Sequence, residues 1–151
     1  MFQDSITLKN RHQKFIKTVS ENGIVYGLKS KNGFATSSAN NYEDDDGNPI
    51  GMICFWAEKV RAKSCAKEEW KKYKPTEIQL AEFMENWCVG MANDGLIIGT
   101  QFDQNLFGHE VEPLTLILEL TAELKSNGKD LNFRKFDGIE DLEKQVKETT
   151  K

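Results

Sequence analysis

At 151 residues the chain has the length of one domain, and its 38% apolar and 10% aromatic content suits a folded globule rather than a disordered segment. No apolar run approaches the roughly 20 residues a bilayer helix needs. The formal net charge of −4 and a pI near 5.3 argue against nucleic acid as the main partner.

In chain order, Leu8, Phe15, Ile16 and Val19 fall at helical spacing, with Ser5 or Thr7 available as N-cap and Gly23 as the stop. This predicts a first helix over about 8–22. Two strands follow, Ile24–Leu28 and Phe34–Ser37, joined through Lys31-Asn32-Gly33, a sequence suited to a hairpin turn. An acidic loop, Asn40–Pro49, leads to a short strand at Met52–Phe55. A helix is predicted over Ala57–Lys72, barred from continuing by Pro75. Thr76–Leu80 reads as a strand. The helix after it reaches Asn93, with Phe83, Met84, Trp87, Cys88 and Met91 on one side, and Asp94-Gly95 closes it. Leu96–Thr100 is the most strand-like run, and Asp103–Gly108 a loop. Pro113 suits the first turn of a helix to Ser126, ended by Asn127-Gly128. The polar remainder holds one charged helix, Ile139–Lys147. The order predicts an α+β or α/β single domain, a mixed sheet of about five strands with helices packed on it. Residues 1–128 form that domain. Residues 129–151 form an extension expected to cover the helix at 113–126, whose leucines spread over more than one face.

Phe15-x-x-x-Val19, Val25-Tyr26-Gly27-Leu28, Gly33-Phe34-Ala35, Phe55-Trp56, Glu69-Trp70, Tyr73-x-Pro75, Phe83-x-x-x-Trp87 and Asp94-Gly95 occur in an order that resembles the bacterial family called domain of unknown function 2750, over about 11–124. Ala57 departs from the proline expected after the tryptophan. The resemblance implies a small cytoplasmic α/β domain. It brings no agreed activity, so no catalytic residue is carried over.

Charge is unevenly distributed. From Pro75 to Leu124 there is no Lys or Arg, while nine carboxylates occur: Glu77, Glu82, Glu85, Asp94, Asp103, Glu110, Glu112, Glu119 and Glu123. The segment before it carries thirteen cations and nine acids, a net of +4. Helical spacing turns Glu82 and Glu85 away from Phe83 and Trp87, toward solvent. A partner surface of Glu82, Glu85, Asp94 and Asp103 is therefore expected to dock a basic protein. The bland accounts are solvent screening, solubility, or pairing within the chain. Lys59, Lys63, Lys67 and Lys71 follow at i, i+4 and predict one cationic row on the second helix, which reads as a solvated face, an anion-binding strip, or a nucleic-acid contact beside Trp56, Trp70 and Tyr73.

Other chemistry finds little support. Glu43-Asp44-Asp45-Asp46-Gly47-Asn48 does not fit a calcium loop, because placing Gly47 sixth puts Tyr42 first and Ile53 last; a self-capped turn is expected. The cysteines Cys54, Cys65 and Cys88 lack zinc-ligand spacing. His12 and His109 have no ligand nearby in sequence, so neither metal nor cofactor is expected. Free thiols suit a reducing, cytoplasmic compartment, and the N-terminus lacks secretory-signal patterning. No phosphate-binding glycine loop and no nucleophile elbow occurs. These features favour a non-catalytic protein-binding module with an acidic surface, a toxin-immunity partner being one form. The alternative is an enzyme or small-molecule sensor with a cleft at the strand ends. Self-association stays open.

Overall fold

The computed structural model describes residues 5–150. Helix α1 (Ser5–Asn22) buries Phe15, Ile16 and Val19 and stops at Gly23, whose φ of 73° suits glycine. Thr7 lies inside this helix and so is not its cap.

Strand β1 (Ile24–Ser30) turns through Lys31-Asn32 into β2 (Gly33–Phe34), as the Asn-Gly pair predicts. Ala35 then diverts the chain, its N–H donating to Leu28 O at 2.8 Å, and β3 (Thr36–Glu43) pairs instead with β4 (Pro49–Trp56). The predicted loop is thus half strand, with a tight turn over residues 44–48 at its tip. Asp44 Oδ1 accepts the N–H groups of Asp46 and Asn48, both at 2.9 Å, and Gly47 sits at φ 81°.

The helix expected over Ala57–Lys72 is corrected. Helix α2 covers only Lys59–Ser64, and a 3₁₀ turn follows at Glu68–Trp70. Glu68 has φ 54°, a left-handed value that no α-helix accommodates, and the Cys65 thiol is drawn away to Phe102 O at 3.2 Å. Lys59 and Lys63 share α2, but Lys67 and Lys71 flank the 3₁₀ turn, so the four lysines are not one helical face. Trp56 and Trp70 are buried and offer no stacking platform to bases.

Strand β5 (Lys74–Gln79) pairs antiparallel along β1. Residues 80–93 form one helical run: α3 (Leu80–Glu82), a π-helical stretch (Phe83–Cys88) and α4 (Val89–Asn93). Strand β6 (Ile97–Thr100), buried throughout, runs parallel to β4. A further strand, β7 (His109–Val111), pairs with β6, followed by α5 (Pro113–Ser126) and α6 (Ile139–Thr149). The sheet is mixed and has seven strands, two more than expected, because the second predicted strand divides at Ala35 and β7 falls between the predicted loop and helix, where the sequence predicts no element.

Alternation along the strands sends Val25, Phe55, Ile78, Ile98 and Val111 to one face, where α1, the 80–93 run, α5 and α6 cover them. Leu28, Met52, Cys54, Trp56 and Ile97 face the other way, against Ala62, Cys65, Trp70 and Phe102.

The extension is tied down by a group expected to face solvent. Glu85 is 4% exposed. Its carboxylate accepts the Arg134 N–H at 3.1 Å and the Lys135 N–H at 2.9 Å. A wide π turn displaces residues from the α-helical wheel on which the expectation was built, and the covering segment removes the solvent. Asp130 Oδ1 accepts the Ile139 N–H at 2.9 Å at the start of α6. Ile139, Leu142 and Val146 join the core, with Leu131, Phe133 and Phe136 packed on it.

Candidate functional site

Two polar constellations are built where β6 ends, and the second involves the loop from Gln101 to Gly108. The first is a buried imidazole chain. His12 on α1 is 2% exposed; its Nε2–H donates to Glu119 Oε1 on α5 at 2.9 Å. With the ring neutral, Nδ1 accepts from the Thr100 hydroxyl at 2.8 Å. The His109 ring stacks on His12 with centroids 4.1 Å apart. Burial, then the neighbouring His12, pushes His109 down to about 4, so its ring is uncharged at neutral pH. A hydroxyl, an imidazole and a carboxylate in a row have the order of a nucleophilic relay. Thr100, however, has no exposed surface, and the stacked ring of His109 closes one face of His12. The chain fastens α1, β6 and α5 together; it does not present a nucleophile.

The second constellation is an open cleft at the carboxyl ends of the parallel pair β4 and β6, the place where open α/β sheets bind ligands. Gln101, at φ 54°, crosses between the strands: its N–H donates to Phe55 O at 3.1 Å, and its Oε1 accepts the Ala57 N–H at 2.9 Å. Phe102 O takes the Trp56 indole N–H at 2.9 Å as well as the Cys65 thiol. The ring of Phe102 occupies the space beside Gly108, where an added Cβ would lie 2.0 Å from it. Beyond Phe102 the loop closes on Asp103, whose Oδ1 accepts the N–H groups of Asn105 at 2.9 Å and Phe107 at 3.1 Å. Arg11 reaches Asp103 Oδ2 at 3.4 Å and Phe107 O at 3.3 Å. So fastened, the loop holds Leu106 and Phe107 out, 43% and 37% exposed.

Opposite stands the segment Cys65–Trp70. Between the two lies a cleft of about 210 Å³, lined by Cys65, Lys67, Glu68, Glu69 and Trp70 on one wall and by Gln104, Asn105 and Leu106 on the other. Lys67 Nζ donates to Gln104 Oε1 across it. The non-glycine residues with positive φ among those described, Glu68, Gln101 and Leu106, all belong to these two segments. Such conformations cost on the order of 1–3 kcal/mol each and gather where a surface is held for a purpose. Burial raises the Cys65 thiol, so the cleft holds no ready thiolate.

Of the residues singled out in the sequence, Lys67 lines this cleft, and Asp103 fastens the loop that forms its other wall. Glu82 and Asp94 are exposed at opposite ends of the 80–93 run, and Lys59 and Lys63 are exposed on α2. Lys71 lies beyond the 3₁₀ turn, and Glu85 is inside. Much of the acidic window is engaged within the chain. Glu110 is buried and accepts the N–H groups of Asn40 at 2.8 Å and Asn41 at 2.9 Å; Glu119 holds His12, and Glu123 accepts the Asn127 amide at 2.9 Å. Glu77, Glu82, Asp94 and Glu112 remain exposed. The His12 chain was missed because its members lie 88 and 107 residues apart, with no local spacing to show them. Among the described residues, no three His, Cys, Asp or Glu gather as metal ligands, and no helix is long and apolar enough to cross a membrane.

Fold and site together define a mixed-sheet α+β domain with a cleft at its strand ends. The chain belongs to the family described as protein of unknown function (DUF2750), whose model matches residues 12–120. Both walls of the cleft, His12 and Glu119 fall within that match; Arg11 and the extension fall outside it. No curated protein and no solved structure matches the chain.

Proposed function

We propose that the chain is a non-catalytic protein-binding module that recognises its partner with the strand-end face, through Leu106 and Phe107 and the cleft beneath them. The observation that supports this reading is a loop fixed by Asp103, Arg11, Gln101 and Phe102 that nonetheless holds two large apolar side chains in water. Exposed apolar groups on a rigid support are the usual anchor of a protein interface, since no ordering entropy is lost on docking. Lys67 and Glu68 supply charges of both signs at the rim. The buried Thr100 speaks against nucleophilic chemistry at His12. Three buried free thiols, each with its titration pushed up by burial, suit a reducing compartment such as the cytoplasm.

The test is site-specific photo-crosslinking in the cells that carry the protein. A photoreactive residue at Leu106 is expected to yield one discrete adduct that a control at exposed Val60 does not. The adduct should disappear with Phe107→Ser. Identical patterns at the two positions, or an adduct indifferent to Phe107→Ser, would overturn the reading. Loss of the adduct with Glu82→Lys and Asp94→Lys, and not with Phe107→Ser, would move the contact to the acidic side and a basic partner.

A further inference from the structure

A larger concavity of about 560 Å³ lies on the other side of the 3₁₀ turn, between the β1–β2 hairpin tip and residues 68–73. Its volume is in the range of small-molecule sites, roughly 300–1,000 Å³. Lys31 comes from the hairpin turn, Lys71 and Lys72 from the chain entering β5, and Tyr73 lies half-buried beside them. The frame is rigid: β1 and β5 pair up to Lys29 opposite Lys74, and the Asn32 N–H donates to Ser30 Oγ at 3.1 Å to fix the turn. The ion pairs of the described residues use Arg11, His12, Arg61, Lys125 and Lys147, and none uses these three lysines, although Glu68 and Glu69 stand in the same wall. Three lysines thus line one concavity, and no ion pair of the described residues engages any of them.

We infer that this cleft binds a small polyphosphate anion, bare or carried by a nucleoside. Lysine ammonium groups are compact point charges that suit phosphate oxygens. Three of them from two fixed segments match several phosphate charges better than one carboxylate. The exposed Glu68 and Glu69 favour a ligand that also carries a neutral part, and the half-buried Tyr73 ring offers it an aromatic surface. This site differs from the strand-end face, and its variants are separate from those that test that face.

The experiment is isothermal titration of the full chain with tripolyphosphate and, separately, with a nucleoside triphosphate, at fixed ionic strength. Saturable one-to-one binding is expected, weakened about tenfold by each of Lys31→Ala and Lys71→Ala, the effect of losing one charge-assisted contact. Lys59→Ala and Lys63→Ala, outside the cleft, should leave it unchanged. Tighter binding of the nucleotide that Tyr73→Leu abolishes assigns the nucleoside-bearing source; equal binding assigns the bare anion. The inference is overturned by no saturable binding, by equal weakening in all four lysine variants, or by a single-stranded oligonucleotide binding more tightly than either small anion. The exposed lysines leave the fold intact, which a thermal melt of each variant checks.

Discussion

Glu85 shows how one side chain can decide what a segment does. A carboxylate has four lone-pair directions and demands donors when buried. Here backbone N–H groups of residues 134 and 135 meet that demand, whatever their own side chains are. Lys135 adds a bond from its Nζ to Asn86 Oδ1 at 2.9 Å. Replacing Glu85 by Ala leaves those N–H groups facing a void or stray water. It should lower stability by about 1–3 kcal/mol in urea denaturation, the range for unsatisfied buried polar groups. Glu85→Gln, which keeps an acceptor oxygen, should lose less. Amide exchange at 134 and 135 should speed up more than at Ile98 in the sheet. Uniform acceleration in both places would mean that Glu85 supports the whole core rather than the extension.

Elements whose signal is local were legible in the sequence. The end of α1 at Gly23, the Asn-Gly turn, the Asp44 turn, and α5 between Pro113 and Gly128 each rest on residues within a few positions of one another. Elements whose form depends on distant residues were not. The helix after β4 stops because Cys65 and Trp70 pack beneath a loop about 37 residues later in the chain, as the Cys65–Phe102 bond shows. The π stretch at Phe83–Cys88 and the strand β7 have no local marker of their own. Charge asymmetry was legible as composition, but where the carboxylates went was not, since Glu85, Glu110 and Glu119 each find partners 49 to 107 residues away. The strand-end cleft could be located in general from strand order, although its residues could not. Helix α6 gives an element-level test. Leu142 has no exposed surface and belongs to the core shared with α5, and Glu143 bridges to Lys125 at 3.1 Å. Leu142→Ala should destabilise the whole protein by about 2–5 kcal/mol, as large-to-small changes in packed cores do. A single shared unfolding transition by circular dichroism is expected. Separate melting of the extension would show that α6 docks as an independent unit.

At the scale of the molecule, a chain with a cation-free window of fifty residues would be expected to lean on salt bridges between its acidic and basic parts, and so to weaken in salt. The structure gives a different balance. Among the described residues, the ion pairs that cross between distant segments are Arg11 with Asp103 at 3.4 Å, Lys125 with Glu143 at 3.1 Å and, when its ring carries a proton, His12 with Glu119 at 2.9 Å, while Glu85 and Glu110 are held by backbone donors. Buried carboxylates held by backbone donors are screened far less than exposed ion pairs, so raising salt from about 0.05 to 0.5 M should barely move the melting temperature. Acid should act quite differently. His109 has a folded value near 4 against an ordinary 6.5, so below 6.5 the unfolded chain takes up a proton that the folded chain refuses. Stability is therefore complete above pH 6.5 and is lost progressively as pH falls toward 4. The Glu143 carboxyl, held down by the Lys125 hydrogen bond, adds loss in the same direction at lower pH. His109→Gln should flatten the stability curve between pH 6.5 and 4 and leave the steeper fall below it. If that variant follows the parent curve through this window while salt shifts both melts strongly, charge pairing across the surface, and not the buried polar contacts around His12, holds the two halves of the fold together.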